Sequence, residues 1–181
     1  VQVSPENFNR EYIMQNELYM PDKDSYERAS ALLSDIMAAN DSIGSSVQCI
    51  IKGMPAGIGE PVFDKLDANL AKAIMSIGAV KAIEIGDGCM VSENQGSYNN
   101  DNFSMKDGKV SKQSNHAGGI LGGMSDGSDI VIKAHFKPTP SIASTQHTVN
   151  KSGENIEVSI RGRHDPIIGP RAVVVVESMA A

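Results

Sequence analysis

Apolar residues return every three or four positions between Ser25 and Ala39, where Tyr26, Ala29, Leu32, Leu33, Ile36 and Met37 share one face. That spacing predicts a helix, with Asp24 or Ser25 to cap its start and Asn40-Asp41 to end it. From Ser46 to Lys52 the period drops to two, with Val47, Cys49 and Ile51 alternating against polar neighbours, which predicts a half-buried strand. A turn-rich joint from Gly53 to Pro61 precedes a second helical stripe of Val62, Phe63, Leu66, Leu70, Ala73, Ile74 and Ile77. Pro61 stands where a helix accepts proline, at its first position, and Gly78 where a helix ends. Ala79 to Ile85 reads as a strand with Val80 and Ala82 on one face.

Residues 1–23 are polar and read as a lead-in loop. From Gly86 to Gly127 periodicity fades, and so long an irregular stretch in a compact domain suggests service to a site. Ile130–Phe136 and Asn155–Arg161 alternate as strands, with a turn signal at Asn150-Lys151-Ser152-Gly153. The segment after Pro170 is ambiguous, because Val173 to Val176 favour a strand while Pro170 and the Ala/Glu/Met tail favour a helix start. The element order predicts an α+β fold, or an α/β sandwich, in one domain or one large lobe.

Composition narrows the function. A chain of 181 residues with 40% hydrophobic residues can bury a core, but aromatics are 4% and Trp is absent, so aliphatic packing must carry it. The formal charge of −6 argues against nucleic acid as the main partner. No apolar run reaches the length of a membrane span and no signal-peptide pattern opens the chain. Cys49 and Cys89 show no metal or redox spacing and read as buried reduced thiols of a cytoplasmic protein. Val1 at the start and an apolar run at the finish suggest a chain cut at both ends. The four histidines lack metal-ligand spacing, and no Gly-x-Ser-x-Gly elbow is present, so metal and serine-hydrolase chemistry are set aside.

Three segments carry candidate chemistry. Ser114 to Gly123 holds a glycine run whose backbone N–H groups could approach a phosphate, with Asn115 and His116 as partners for a heterocycle edge. It matches neither the dinucleotide fingerprint nor a P-loop, and a plain flexible loop is the competing reading. Lys137-Pro138-Thr139-Pro140-Ser141 adds a cation and hydroxyls in a proline-stiffened loop, against the reading of a solvated lysine. Arg163-His164-Asp165-Pro166 places a guanidinium and a carboxylate two residues apart, either as an anion contact with a proton acceptor or as a local ion pair. Together the three suggest a phosphorylated ligand or cofactor.

At these residues the chain resembles the chorismate synthase family. The likeness runs from Asp41-Ser42-Ile43-Gly44 through Gly53 to Asp67, Met75 to Lys81 and Glu84 to Gly88, then Ser114 to Gly123, Lys137 to Ser141, Arg163 to Pro166 and Arg171 to Met179. It implies a lyase of aromatic biosynthesis that converts 5-enolpyruvylshikimate 3-phosphate to chorismate by anti-1,4-elimination of phosphate. It also implies reduced FMN as cofactor, lending an electron that is returned, a β-α-β sandwich of antiparallel sheets packed on helices, and a homotetramer. By the same resemblance flavin contacts fall on Gly78, Ala79, Gly122, Lys137, Pro138, Thr139, Pro140, Ser141 and Arg163, and the carboxylate that helps remove the substrate proton on Asp165. Gly78 departs from the side-chain amide common in relatives, so its contact must be through backbone, and His147 takes no role. No segment matches the family's N-terminal half, which carries two catalytic histidines and most phosphate-gripping arginines. The chain is therefore expected to be a C-terminal half, inactive alone, or a silent flavin-binding or assembly scaffold. The resemblance resolves the last segment as a helix.

Overall fold

A computed structural model describes residues 1–162 and 164–181. In chain order the regular elements are α1 (Lys23–Ala38), β1 (Ser45–Ile51), α2 (Leu66–Met75), β2 (Val80–Ile85), α3 (Gly96–Asn99), β3 (Phe103–Lys106) and β4 (Lys109–Lys112). They continue with β5 (Ile120–Leu121), β6 (Met124–Ser125), β7 (Ile130–Phe136), β8 (Gln146–Val149), β9 (Asn155–Val158) and α4 (Gly169–Ala180). The chain forms two compact units, one of Val1–Ser45 with Lys137–Arg171, the other of Ser46–Phe136 with Ala172–Ala181.

In the first unit Asp22 caps α1, its carboxylate accepting the Ser25 N–H at 3.2 Å, so the cap lies just before the two residues the sequence suggested. Tyr26, Ala29, Leu33 and Ile36 are half-buried, whereas Leu32 and Met37 of the expected stripe are exposed. A hairpin of β8 and β9 turns at Asn150–Gly153, where the Asn150 side chain accepts the N–H groups of Ser152 (2.9 Å) and Glu154 (3.0 Å). β8 was not visible as a strand because its residues are almost all exposed and carry no apolar alternation.

The second unit is built on a three-stranded sheet in the order β1-β7-β2. β7 sits in the middle, and its alternation is the cleanest in the chain: Ile130, Ile132, Ala134 and Phe136 are buried on one face. α2 packs against β2 with Leu70 and Ile74 buried, and Val47, Val80, Ala172 and Val176 complete the core. The half-buried Cys49 thiol is pushed up by burial and by the Glu177 carboxylate of α4. Cys89, expected to be buried, is exposed.

Several sequence expectations need correction here. The second helix begins at Leu66, not at Pro61. Residues 60–64 close a turn of their own, with Glu60 N–H donating to Asp64 O at 2.8 Å, so Val62 and Phe63 stand 73% and 91% exposed at its tip. Ala79, not Gly78, takes the left-handed conformation after α2, with φ 70°. Between Val80 and Ala82 the pairing to β7 slips by a bulge, which separates two residues expected to share a face. The stretch from 86 to 127 holds two short hairpins, β3-β4 and β5-β6, whose strands of two to four residues are too brief to show a period. The Asn155–Arg161 strand ends at Val158, whereas the segment after Pro170 is a helix, as the resemblance resolved it.

The core assignment has a direct check. Ile132→Ala should lower unfolding free energy by about 2–5 kcal/mol, whereas Phe63→Ala in this chain should change it by no more than about 0.5 kcal/mol, both read from denaturant midpoints. A large loss at Phe63 would restore the longer helix.

Candidate functional site

In the first unit the Lys137–Ser141 loop leaves the end of β7 and is fastened by polar contacts to distant segments. Ser42 Oγ donates to Thr139 O at 2.6 Å, and Gln146 Nε2 donates to Pro140 O at 2.9 Å. Thr139 Oγ1 donates to Asp165 O at 3.0 Å, and Ser141 Oγ lies 3.1 Å from His164 Nδ1. Ile43 N–H donates to Pro166 O at 2.8 Å. The structure thus brings Lys137 through Ser141 beside the Asp165 segment. Arg163 lies outside the described residues.

Lys137 is exposed and enters no ion pair among the described residues. The Asp165 carboxylate, 33% exposed, instead meets Arg171 Nη1 at 2.9 Å, a guanidinium 72% exposed on the first turn of α4. Sequence reasoning missed Arg171 as a partner. The signal available was its place beside Pro170 at a helix start, where a side chain projects toward the preceding loop.

The second unit holds Gly78, Ala79 and Gly122. Gly122 is exposed at the β5-β6 turn with φ 60°, and a Cβ there would meet nothing within 4 Å. Its neighbour Gly123 accepts the Leu66 N–H at 2.7 Å at the start of α2, while Gly78 and Ala79 follow the end of that helix. Ten helical residues span roughly 15 Å, so within this unit Gly122 does not converge with Gly78 and Ala79.

The rest of the glycine run serves a different purpose from the one the sequence suggested. Gly118 N–H donates to Asn115 O (3.1 Å) and Gly119 N–H to Asn115 Oδ1 (2.9 Å). A Cβ on Gly118 would fall 2.3 Å from Gly86 N, and one on Gly119 2.5 Å from Asp129 O. These glycines permit backbone to approach backbone, and their donors are already satisfied. Asn115 is likewise engaged internally, its amide donating to Asp129 O at 2.7 Å. His116 Nδ1 lies 2.6 Å from Asp87 Oδ2, with the ring 4.8 Å from that of Tyr98. Beside this pair is an open cleft of about 440 Å³ lined by Gln48, Asp87, Asn94, Tyr98, Asn115 and Lys133.

A buried ion cluster holds this region together. Lys112 Nζ reaches Asp101 Oδ2 at 3.3 Å and Asp126 Oδ2 at 2.6 Å, with the three side chains 4%, 3% and 8% exposed. Burial by itself would raise the Asp101 carboxyl. Against it, the N–H groups of Ala117 (3.0 Å) and His116 (2.8 Å), the Ser114 hydroxyl (2.8 Å) and Lys112 bring it down to about 2. Asp126 is also held low, chiefly by Lys112 acting against burial. Nothing in the sequence distinguished Asp101 from the Asn and Asp residues around it. Glu84 hydrogen-bonds Cys89 and pushes its thiol up, which keeps it protonated and unreactive.

The fold and this site define a mixed α/β protein with small antiparallel sheets packed on helices and a cation-bearing loop joined to a carboxylate segment. A family model described as chorismate synthase matches residues 2–181, and the chain belongs to the chorismate synthase family. Chorismate synthases of Agathobacter rectalis and Lachnoclostridium phytofermentans are 60% and 58% identical to it, each over 100% of this chain and 49% and 50% of their own length. That of Methanosarcina barkeri is 55% identical over 86% of this chain and 44% of its own length. A crystal structure of chorismate synthase superposes with a TM-score of 0.77 at 26% identity, covering 97% of this chain and 47% of that one. The chain spans about half the length of the curated relatives it matches.

The buried cluster predicts a pH signature. Because the folded Asp101 carboxyl sits below its ordinary value of 3.8, its stabilisation is present above pH 3.8 and is lost as pH falls toward about 2. Asp101→Asn should remove that dependence between about pH 4 and 2 and, by leaving Lys112 under-compensated, lower stability at neutral pH by about 3–5 kcal/mol. Denaturant unfolding across this pH range reads both effects, and an unchanged acid limb in the variant would refute the assignment.

Proposed function

We propose that this chain forms the C-terminal half of an enzyme that converts 5-enolpyruvylshikimate 3-phosphate to chorismate, a carbon–oxygen lyase reaction that eliminates phosphate. The observation that carries the reading is the junction of the Lys137–Ser141 loop with the Asp165 segment through Thr139, because it joins a loop bearing an exposed lysine to a segment bearing a carboxylate. The family likeness supplies the substrate. In intact enzyme the reading includes a homotetramer acting in the cytoplasm. Among the described residues no helix is long and apolar enough to cross a membrane.

The residues present fit reduced FMN as cofactor. Lys137, exposed and in no ion pair among the described residues, offers a charge for a phosphate or flavin edge. Pro138 and Pro140 stiffen the loop that carries Lys137, while Gly78, Ala79 and Gly122 are assigned to the flavin by family likeness alone. Arg163 is assigned to the same anion by family likeness. Reduced FMN, when bound, supplies a transient electron that is returned, so the elimination has no net redox change.

Asp165 takes the proton from the substrate carbon as the carbon–oxygen bond to phosphate breaks at the other end of the four-carbon system. Arg171, 2.9 Å away, orients the carboxylate. The scaffold-only alternative has no observation in its favour.

Two substitutions in the intact enzyme test the reading. Asp165→Asn should reduce chorismate formation by about 10²–10⁴-fold with flavin affinity nearly retained, and turnover within a few-fold of wild type would remove Asp165 from the mechanism. Lys137→Ala should weaken FMN binding by roughly one to two decades, as expected for a lost hydrogen bond to a charged group. An unchanged flavin titration would displace the anchor from this loop.

A further inference from the structure

The carbonyl of Asp165 is held by a residue of the candidate cofactor loop. Thr139 Oγ1 lies 3.0 Å from Asp165 O across 26 residues of sequence. Thr139 O in turn accepts the Ser42 hydroxyl proton at 2.6 Å across 97 residues. Neither contact is a local turn. The next carbonyl, Pro166 O, accepts the Ile43 N–H at 2.8 Å, so the Asp165-Pro166 backbone is tied at two consecutive points to segments fixed elsewhere in the same unit.

The direction of the Thr139 bond decides its role. A carbonyl oxygen only accepts, and a threonine hydroxyl owns a single proton. Thr139 therefore donates to Asp165 O and has no proton left for a ligand. A flavin phosphate, largely dianionic near neutral pH, presents acceptors. While Thr139 holds Asp165, its hydroxyl has the wrong polarity to anchor that phosphate. Lys137, two residues earlier and unpaired among the described residues, has the right one.

We propose that Thr139 is a positioning residue for Asp165 rather than an anchor for the cofactor, with Ser42 setting the orientation of the loop that carries it. The proposal rests on the reading of Asp165 as proton acceptor. A hydroxyl on the Asp165 carbonyl fixes where the side chain departs from the backbone, while Arg171 at 2.9 Å guides its far end. A proton transfer tolerates little displacement of its acceptor, since about 1 Å of misplacement can cost on the order of 10²-fold in rate.

The test is made in the intact enzyme with reduced FMN, comparing Thr139→Val, Thr139→Ser, Ser42→Ala and Asp165→Asn. Thr139→Val keeps the branching and removes the donor. It should lower kcat at saturating flavin by about 10–10²-fold while the FMN dissociation constant moves by no more than about threefold. Thr139→Ser restores the donor and should recover most of the turnover. Ser42→Ala should lower kcat in the same sense and provides the readout if the valine variant does not fold. The limb of the pH–rate profile that Asp165 governs should persist in Thr139→Val at a lower plateau. If Thr139→Val instead loosens FMN tenfold or more with kcat at saturation unchanged, Thr139 is an anchor and the proposal is overturned. Wild-type values in Thr139→Val beside an inactive Asp165→Asn would overturn it while sparing the role of Asp165. An active Asp165→Asn enzyme would remove the premise, and the positioning role with it.

Discussion

A carboxylate shielded from water stays charged only if donors replace the solvent it lost. Asp101 meets that condition with two backbone N–H groups, a hydroxyl and an ammonium, and the match routes the chain from residue 101 to residue 126. Holding Ser114, His116 and Ala117 against residue 101 leaves Gly118 and Gly119 pressed on the backbones of Gly86 and Asp129. From there the order passes into the central sheet: Gly86 N–H donates to Val131 O at 2.9 Å, and Val131 N–H to Gly118 O at 3.2 Å. The start of β7, and with it the register of β7 on β2, is therefore tied to an ion cluster outside the sheet.

The two units use their polar groups differently. In the second unit the segments that looked ligand-seeking, Asn115 and the Gly118-Gly119 pair, are consumed by internal contacts. In the first unit the internal contacts tie loop to loop through hydroxyls and carbonyls, and Lys137 enters no ion pair among the described residues. The Asp165–Arg171 pair is so open to solvent that its net contribution to stability is about 0–1 kcal/mol. An interaction that weak is suited to aiming a carboxylate and to yielding when an anion competes for the guanidinium.

Much of the fold was legible where burial is one-sided and long enough to repeat. β7, the body of α2 and most of β1 follow their apolar periods, and the family likeness resolved α4 as a helix against its valine propensity. What could not be read was whatever depends on a partner far away in sequence. The glycines at 118 and 119 look the same whether they face a phosphate or another backbone, and only the neighbour, Gly86 or Asp129, decides. Asp101 and Arg171 are unremarkable in sequence because their importance comes from donors or acceptors supplied by other loops. The hydroxyls of Thr139 and Ser141 were legible as polar groups but not by direction, and direction determines whether a ligand can use them.

The valine-rich turn of α4 carries a liability of its own. Val173 to Val176 are four consecutive β-branched residues in a helix, each less favourable there than alanine by about 0.5 kcal/mol. Burial of Val176 contributes roughly 1.5–3 kcal/mol, so docking of the helix offsets a local preference that points the other way. Until that docking is complete, the same residues form a short, uncharged, strand-prone segment of the kind that seeds intermolecular pairing. The helix is thus conditional on its docking, and whatever delays that docking lengthens the time the protein is exposed to aggregation.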